Sequence, residues 1–379
     1  SHSRRHARTR RLDSNDNRMG PCISTPKQAA PSEVADSVVI RQLPGAYPEL
    51  AKRWSIQNDF STWPGITWDE NGVAGNVLKI DLSGCGLKEC PWQLGELNSM
   101  THLDLSGNDF HTLPPELSQA KAVTHLNLSG SNVGLAEDGS SDGPLPEWVY
   151  TFKLKELILT DCGKLNDIDV ARFPSLETLN IDGTQFLNWK FVFIKCGGRK
   201  NLKTISARNL PALGDLPEEL AQCTSLESLD VSGCNFTSLP SMFTNKELAR
   251  GMKLKTLVMT NNKLKELPDG LKYLESIETM NFQNNDIKQV DMDIGSDLPS
   301  LKRVDLTKNP LKKVPPPVWK KKEEGIILVD DNVKEGINAD DAMEMAQDKA
   351  QEAKKAAQKG ADEAKKAAKK AMGSIKKMF

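Results

Sequence analysis

One apolar pattern recurs ten times along this chain and constrains its fold more than any other feature. The pattern is L-x-x-L-x-L-x-x-N-x-L, in which Ile, Val, Met, Phe or Cys replaces some residues. Its clearest copies cover residues 100–110 and 254–264. A single copy cannot bury its apolar side alone, so copies at a regular period must stack and share a continuous core. The sequence therefore predicts a solenoid.

The spacing of the copies also predicts their local structure. Within a copy, x-L-x-L-x is typical of a short strand, so Leu103 and Leu105 should face the core while their neighbours face solvent. Stacked copies should then form a parallel sheet with strands about 4.8 Å apart. The resulting fold class is an α/β solenoid. The ten copies begin at Val77, Met100, Val123, Leu154, Leu176, Leu202, Leu226, Leu254, Ile277 and Leu301.

The ninth position of most copies carries a polar or thiol side chain that we expect to be structural. Buried backbone groups need hydrogen-bond partners, and an amide at this position can supply them where the chain turns out of the strand. We expect cysteines at the same position to be structural, not redox-active. These residues are Asn108, Asn262, Asn285 and Asn309, with Cys85, Cys162 and Cys234 in other copies.

These features resemble the leucine-rich repeat family, whose period is 20–29 residues. Several copies continue as L-P-x-x-L, as in residues 113–117 and 267–271. This continuation resembles the intracellular Ras-group class, which implies a right-handed horseshoe with a concave sheet and a role as a signalling scaffold. Residues 59–69 resemble the N-terminal cap of plant-type repeats. Ser61 and Trp68 replace the cysteine pair that usually brackets this cap in secreted members.

Composition shifts divide the chain into five regions. We predict a disordered basic arm (1–37), an N-terminal cap (38–76), the repeats (77–316), a C-terminal cap (317–333) and an amphipathic helical tail rich in Ala and Lys (338–379).

Overall composition narrows the classes of function. The net charge of −1 over 379 residues gives no general reason to bind nucleic acid. The seven cysteines form no C-x-x-C pair, and several fall on core positions. We therefore expect a reducing compartment and a cytoplasmic protein. We find no run of 18 apolar residues and no visible signal peptide, so we expect no transmembrane helix.

Both tails have a candidate membrane role. After Met19, the residues Gly20 and Cys22 match sites for myristoylation and palmitoylation, although a chance match in a flexible arm is the simpler interpretation. Residues 353–379 contain nine lysines and two acidic residues, a net of +7. This tail could be a solvated helix, a helix on an anionic membrane or a partner helix. Its candidate membrane-surface residues are Lys365, Lys366, Lys369, Lys370, Met372, Ile375, Lys376, Lys377 and Phe379.

Catalytic chemistry has little support. We find no phosphate-binding or zinc-hydrolase motif, and we expect no enzyme activity, no cofactor and no metal. His102 and His125 occupy the same repeat position in successive copies, so they should lie side by side. A metal or pH-sensing site is one interpretation, and an ordinary polar ladder is the other. The aromatic insertion at residues 186–194 should pack on the convex side or form a second partner contact.

The remaining hypothesis is protein recognition by outward side chains of the sheet. A rigid grid of polar groups loses little side-chain entropy on binding. By family resemblance, the protein partner could be a small GTPase or a phosphatase complex; a membrane-peripheral organiser held by the tails is the alternative. The predicted partner-binding residues are His102, Asp104, Ser106, His125, Asn127, Ser129, Asn180, Asp182, Ser206, Arg208, Asp230, Ser232, Asn281, Gln283, Arg303 and Asp305.

Overall fold

A computed structural model describes most of the chain from residue 35 to residue 336. The described ranges are 35–72, 75–134, 142–186, 188–197, 199–267, 269–290 and 298–336. The following description concerns the compact unit that begins at residue 34.

Within the described ranges, eighteen short strands follow one another along the chain. They are β1 (Ile66–Trp68), β2 (Val77–Asp81), β3 (His102–Asp104), β4 (His125–Asn127), β5 (Gly143–Pro144), β6 (Glu156–Ile158), β7 (Leu165–Asp167), β8 (Thr178–Asn180), β9 (Thr204–Ser206), β10 (Ser228–Asp230), β11 (Thr256–Val258), β12 (Glu266–Leu267), β13 (Thr279–Asn281), β14 (Gln289–Val290), β15 (Arg303–Asp305), β16 (Lys313–Val314), β17 (Ile327–Leu328) and β18 (Lys334–Glu335).

Twelve of these strands form one sheet, in the order β1-β2-β3-β4-β6-β8-β9-β10-β11-β13-β15-β17. Every pair is parallel except the first, in which β1 runs antiparallel to β2. Three two-stranded sheets, β5–β7, β12–β14 and β16–β18, lie where the chain has left the main sheet. The described part is thus an α/β solenoid, as the repeat pattern predicts.

The strand register follows the predicted repeat starts in every copy. The fourth position of each copy lies beside the fourth position of the next, and the whole column is buried. A further strand, β17, extends the column within the predicted C-terminal cap. The column is Ile80, Leu103, Leu126, Leu157, Leu179, Ile205, Leu229, Leu257, Met280, Val304 and Ile327.

The helices are short and lie at the ends and in the insertions. They are α1 (Asp36–Ala46), α2 (Trp189–Cys196), α3 (Ser241–Thr244), α4 (Lys246–Gly251) and α5 (Pro316–Glu323). Helix α2 shows how the aromatic insertion packs: Trp189, Val192 and Phe193 are buried in the core. The packing interpretation of this insertion is therefore confirmed for these side chains. None of the helices in the described ranges is long and apolar enough to cross a membrane.

The N-terminal cap closes the first repeat through aromatic stacking and one buried carboxylate. Trp54 and Trp63 stack with ring centroids 5.5 Å apart, and Trp54 Nε1 donates to Pro64 O at 2.9 Å. Asp36 Oδ2 accepts a hydrogen bond from Val77 N at 2.6 Å. The first strand of the solenoid is therefore anchored to the start of α1.

The ninth-position asparagines join successive repeats, as predicted. Asn285 is buried; its Nδ2 donates to Phe282 O in its own repeat and to Met259 O in the preceding one, both at 2.9 Å. Its Oδ1 accepts from Leu264 N at 3.1 Å. One side chain thus satisfies three backbone groups, two of which belong to the neighbouring repeat.

Cysteine can replace asparagine because a thiol still supplies one donor. Cys162 Sγ donates to Leu128 O, and Cys234 Sγ donates to Ala207 O, both at 3.1 Å and both to the preceding repeat. Burial raises the pKa of each thiol to about 11. Both cysteines therefore stay protonated near neutral pH and act as structural groups, as predicted.

A left-handed backbone conformation precedes the ninth position in all ten copies. Half of the copies use glycine there, and the others use Asp161, Asn209, Asn261, Asn284 and Lys308. Since β-branched side chains strongly disfavour positive φ, this turn limits the residues that the eighth position accepts.

We predict that Asn285→Ala lowers the free energy of unfolding by on the order of 3 kcal/mol, because it leaves three buried backbone groups without partners. The free energy of unfolding of Asn285→Cys should lie between those of Asn285→Ala and the wild type, since a thiol restores one donor. Urea denaturation measures this order. The exposed Asn201→Ala is the control and should change stability by about 0.5 kcal/mol or less. Equal stability of the Asn285→Ala and Asn201→Ala variants would contradict the ladder role.

Candidate functional site

The solvent side of the main sheet, which we call the ladder face, consists of the third, fifth and seventh positions of the repeats. Most strands alternate half-buried, buried and half-buried residues, so the flanking side chains reach solvent. All sixteen predicted partner-binding residues occupy these positions. The face therefore gathers residues that lie far apart in the sequence into three parallel rows.

Hydrogen bonds between neighbouring repeats fix the orientation of these side chains. Asn127 Nδ2 donates to Asp104 Oδ2 across the strand boundary at 2.9 Å. Within each turn, Ser106 Oγ donates to Asp104 Oδ1 and Ser129 Oγ donates to Asn127 Oδ1, each at 2.6 Å. The polar groups of β3 and β4 are thus ordered before any partner binds.

An ion pair orders the middle of the face. Arg208 Nε donates to Asp182 Oδ2 at 2.8 Å, and Ser206 Oγ donates to Asp182 Oδ1 at 2.7 Å. The Asp182 carboxylate raises the pKa of the Arg208 guanidinium. Burial raises the pKa of Asp230 even though it accepts two hydrogen bonds from Ser232. Half of the Arg208 side chain remains exposed above this cluster.

Three of the predicted contact residues have little surface to offer a partner. Asp182, Ser232 and Asp305 are buried, with exposed fractions of 3%, 6% and 8%. Their oxygens accept hydrogen bonds from the backbone or from adjacent side chains, which cover them. They support the ladder face more than they form its contact surface.

A second row of charges, at the second repeat position, was not predicted from the sequence. The sign of the charge alternates from one repeat to the next. In each of three described ion pairs, the lysine Nζ lies 2.6–2.8 Å from the glutamate Oε2. These side chains are exposed, so each pair contributes little to stability. Reading the second position down the copies reveals the row: Lys155, Glu177, Lys203, Glu227, Lys255, Glu278 and Lys302.

The ladder face itself has an excess of negative charge in its centre. From β3 to β10, its outward positions carry one cation, Arg208. They carry four carboxylates: Asp104, Glu156, Asp182 and Asp230. Because the second-position row compensates its own charges, this excess is available to attract a basic partner.

His102 and His125 lie side by side, as predicted. Their rings stack with centroids 3.9 Å apart and planes inclined by 6°. Both line a cavity of about 400 Å³ at the β1 end of the face, together with Lys79 and Glu156, which were not among the predicted site residues. No group of three metal-ligating side chains occurs in the part of the chain that the structure describes.

The tail sites lie outside the described residues. These are the acylation candidates Gly20 and Cys22 and the membrane-surface candidates from Lys365 to Phe379. Both stay predictions.

We predict that acid weakens the fold partly through His102. Burial lowers the pKa of His102 below its ordinary value of 6.5, and His125 and Lys79 lower it further. The unfolded chain therefore binds a proton more readily, so the contribution of His102 to stability falls as the pH falls below about 6.5. The melting temperature of His102→Gln should drop less than that of the wild type between about pH 7.5 and pH 5.5. The exposed His111→Gln is the control, and an equal drop in all three proteins would contradict this role.

Comparisons with known proteins agree with this geometry. Family models described as leucine rich repeat match residues 252–311, 99–120 and 225–246. A probable disease resistance protein from Arabidopsis thaliana is 30% identical over 103 residues, which cover 26% of this chain and 12% of that protein. The chain thus spans a small part of the curated relative that it matches.

Solved structures with the same fold come from plants and bacteria. The leucine-rich repeat ectodomain of the Arabidopsis receptor kinase HAESA, in complex with an extended IDA peptide hormone, aligns with a TM-score of 0.55 and 22% identity, over 73% of this chain and 46% of that one. A leucine-rich repeat protein from Bacteroides eggerthii aligns with a TM-score of 0.52 and 12% identity, over 75% of this chain and 66% of that one. With its repeats stacked in register on such a sheet, the chain contains leucine-rich repeats and has their fold.

Proposed function

We propose that the chain is a non-catalytic recognition module that binds a protein partner on the ladder face. The observation that carries this proposal is the preordered polar surface, in which carboxylates outnumber cations four to one across its central strands. Side chains already held by hydrogen bonds lose little entropy on binding. The face therefore suits a basic, extended segment of a partner, which electrostatic attraction would steer to it.

The similar solved structures support a protein-binding role in general terms. The HAESA ectodomain binds a peptide hormone in its crystal structure. That likeness concerns the fold, so the partner of this chain must be identified on its own surface. By resemblance to the Ras-group class, we propose an intracellular signalling role at a small GTPase or a phosphatase complex.

The cysteines support a reducing, cytoplasmic setting. The described cysteines are free thiols, and burial raises the pKa of Cys90, Cys162 and Cys234. Cys162 and Cys234 act as hydrogen-bond donors to the neighbouring repeat, a role that a disulfide would abolish. A compartment that keeps thiols reduced preserves this ladder.

We predict that reversing charge in the centre of the face abolishes partner capture. The variant carries Asp104→Lys and Asp230→Lys, and its control carries Glu218→Lys and Glu247→Lys, which alter the charge equally at exposed loop and helix positions. Affinity capture from native lysate, read by mass spectrometry, should recover a protein with the wild type and the control but not with the face variant. Circular dichroism confirms that all three proteins fold. Identical captures would remove the ladder face as the binding site.

The alternative function, membrane-peripheral organisation, rests on the net charge of +7 between residues 353 and 379. A basic amphipathic segment gains about 1 kcal/mol per lysine near an anionic surface. The full chain should then float with vesicles that contain phosphatidylserine, and a form ending at Val333 should not. Neutral phosphatidylcholine vesicles are the control. Equal flotation of both forms would contradict a role of the tail.

A further inference from the structure

The cavity at the first end of the ladder face has the features of a binding notch. Residues Gly65–Thr67, which include the start of the antiparallel strand β1, form one wall. The stacked rings of His102 and His125 lie in its lining, and Ile158 contributes a half-buried apolar side chain. The volume of about 400 Å³ accommodates one large side chain of a partner.

The threonine before each histidine contacts Nδ1 of the ring and so bears on which ring nitrogen carries the proton. Thr101 Oγ1 donates to Leu78 O at 3.1 Å and lies 2.8 Å from His102 Nδ1. A hydroxyl has one hydrogen, so a donation to Leu78 O leaves His102 Nδ1–H as the donor to the hydroxyl. The Nε2 atom of His102 is then an acceptor.

The next repeat reproduces this arrangement. Thr124 Oγ1 donates to Thr101 O at 3.3 Å and lies 2.9 Å from His125 Nδ1. His125 Nε2 is therefore a second acceptor beside the first. Since the ring planes differ by 6°, the two lone pairs run side by side and do not converge on a single ion. Such a pair suits two N–H donors of one planar group better than a metal.

The charged groups around the histidines favour a cation. Glu156 lies beside His125 in the same row, and its carboxylate has no hydrogen bond or ion pair to other described residues. Asp104 lines the same cavity. The opposing groups are Lys79, which also lines the cavity, and Arg53, which pairs with Asp81 at 3.4 Å. Among the charged residues that line the cavity, three carboxylates oppose one lysine: Asp81, Asp104, Glu156 and Lys79.

We propose that this notch binds the guanidinium group of an arginine side chain on the partner. The planar fork of N–H donors would bond to the imidazole acceptors and to the Glu156 carboxylate, while the aliphatic stem packs against Ile158. A lysine ammonium is a point charge that matches parallel acceptors less well. The proposal rests on protein recognition by the ladder face and specifies the chemistry of one contact.

Protonation of the histidines should release the arginine. An imidazolium has no free acceptor, and its charge repels a guanidinium. The titratable or charged groups that face the rings are Lys79, Asp104, Glu156 and Glu177. Binding should therefore weaken as acid protonates the imidazoles.

The first test reads the tautomers directly. Long-range ¹H–¹⁵N correlation spectra of the full chain at about pH 8, where imidazoles are neutral, report which nitrogen of each histidine carries the proton. The proposal expects Nδ1–H and a bare Nε2 for both residues. Nε2–H at either residue would overturn it, because the notch would then present a donor.

The second test titrates the full chain with N-acetyl-arginine amide and follows the same histidine signals. N-acetyl-citrulline amide, which has the shape of arginine without its charge, and N-acetyl-lysine amide are the matched probes. Arginine should shift the His102 and His125 signals at the lowest concentration. Equal shifts with citrulline would overturn the guanidinium assignment.

Variants separate a specific site from general attraction to an acidic face. The double variant His102→Phe and His125→Phe keeps two stacked rings but removes the acceptors, and Glu156→Gln removes the free carboxylate. Monitored through backbone amide signals of β3 and β4, each should weaken arginine binding about tenfold or more. Glu278→Gln, at the far end of the sheet, should not change it, and equal losses in all three proteins would overturn the proposal.

The failure of this inference differs from that of the proposed function. If partner capture still depends on Asp104 and Asp230 while arginine does not bind the notch, the ladder face recognises its partner by other contacts. If capture does not depend on the face but arginine still binds the notch, the general proposal fails and the local site remains.

Discussion

The fold depends on hydrogen bonds that cross from each repeat to the preceding one. A parallel strand of three residues buries too little by itself, and its chain must then turn out of the sheet with backbone groups still buried. Asn285 shows the solution, because a single amide satisfies one group in its own repeat and two in the preceding one. Since an unpaired buried backbone group costs about 1–3 kcal/mol, the register of the whole stack follows from this contact.

The same constraint explains which positions are free for function. The fourth and sixth positions must be apolar, the eighth must accept positive φ, and the ninth, where it is asparagine, donates to the preceding repeat. Most residues at the second, third, fifth and seventh positions reach solvent and carry no such requirement. The chain uses them differently: the second position alternates Lys and Glu and compensates itself, whereas the third and fifth positions keep uncompensated carboxylates such as Glu156.

Much of this architecture could be predicted because the repeat pattern encodes it locally. The starts of all ten copies gave the strand register, including Leu157 and Ile205 in copies with an extra residue. The adjacency of His102 and His125 could be predicted because both occupy the third position of their copies. Burial of outward residues could not be predicted in this way, because it depends on neighbours in space. Asp182 is covered because Arg208 and Ser206 bind it from the next repeat, which the pattern leaves unspecified.

The ends of the stack are where chemistry can depart from the repeat. In the middle, each outward side chain lies between residues of two neighbouring parallel strands. At the first repeats, β1 runs antiparallel and encloses a notch over a stacked histidine pair. The threonine before each histidine makes the same contact with Nδ1 of the ring in both repeats. A repetitive scaffold can thus hold a localised site where two copies with the same Thr-His pair lie beside one irregular strand.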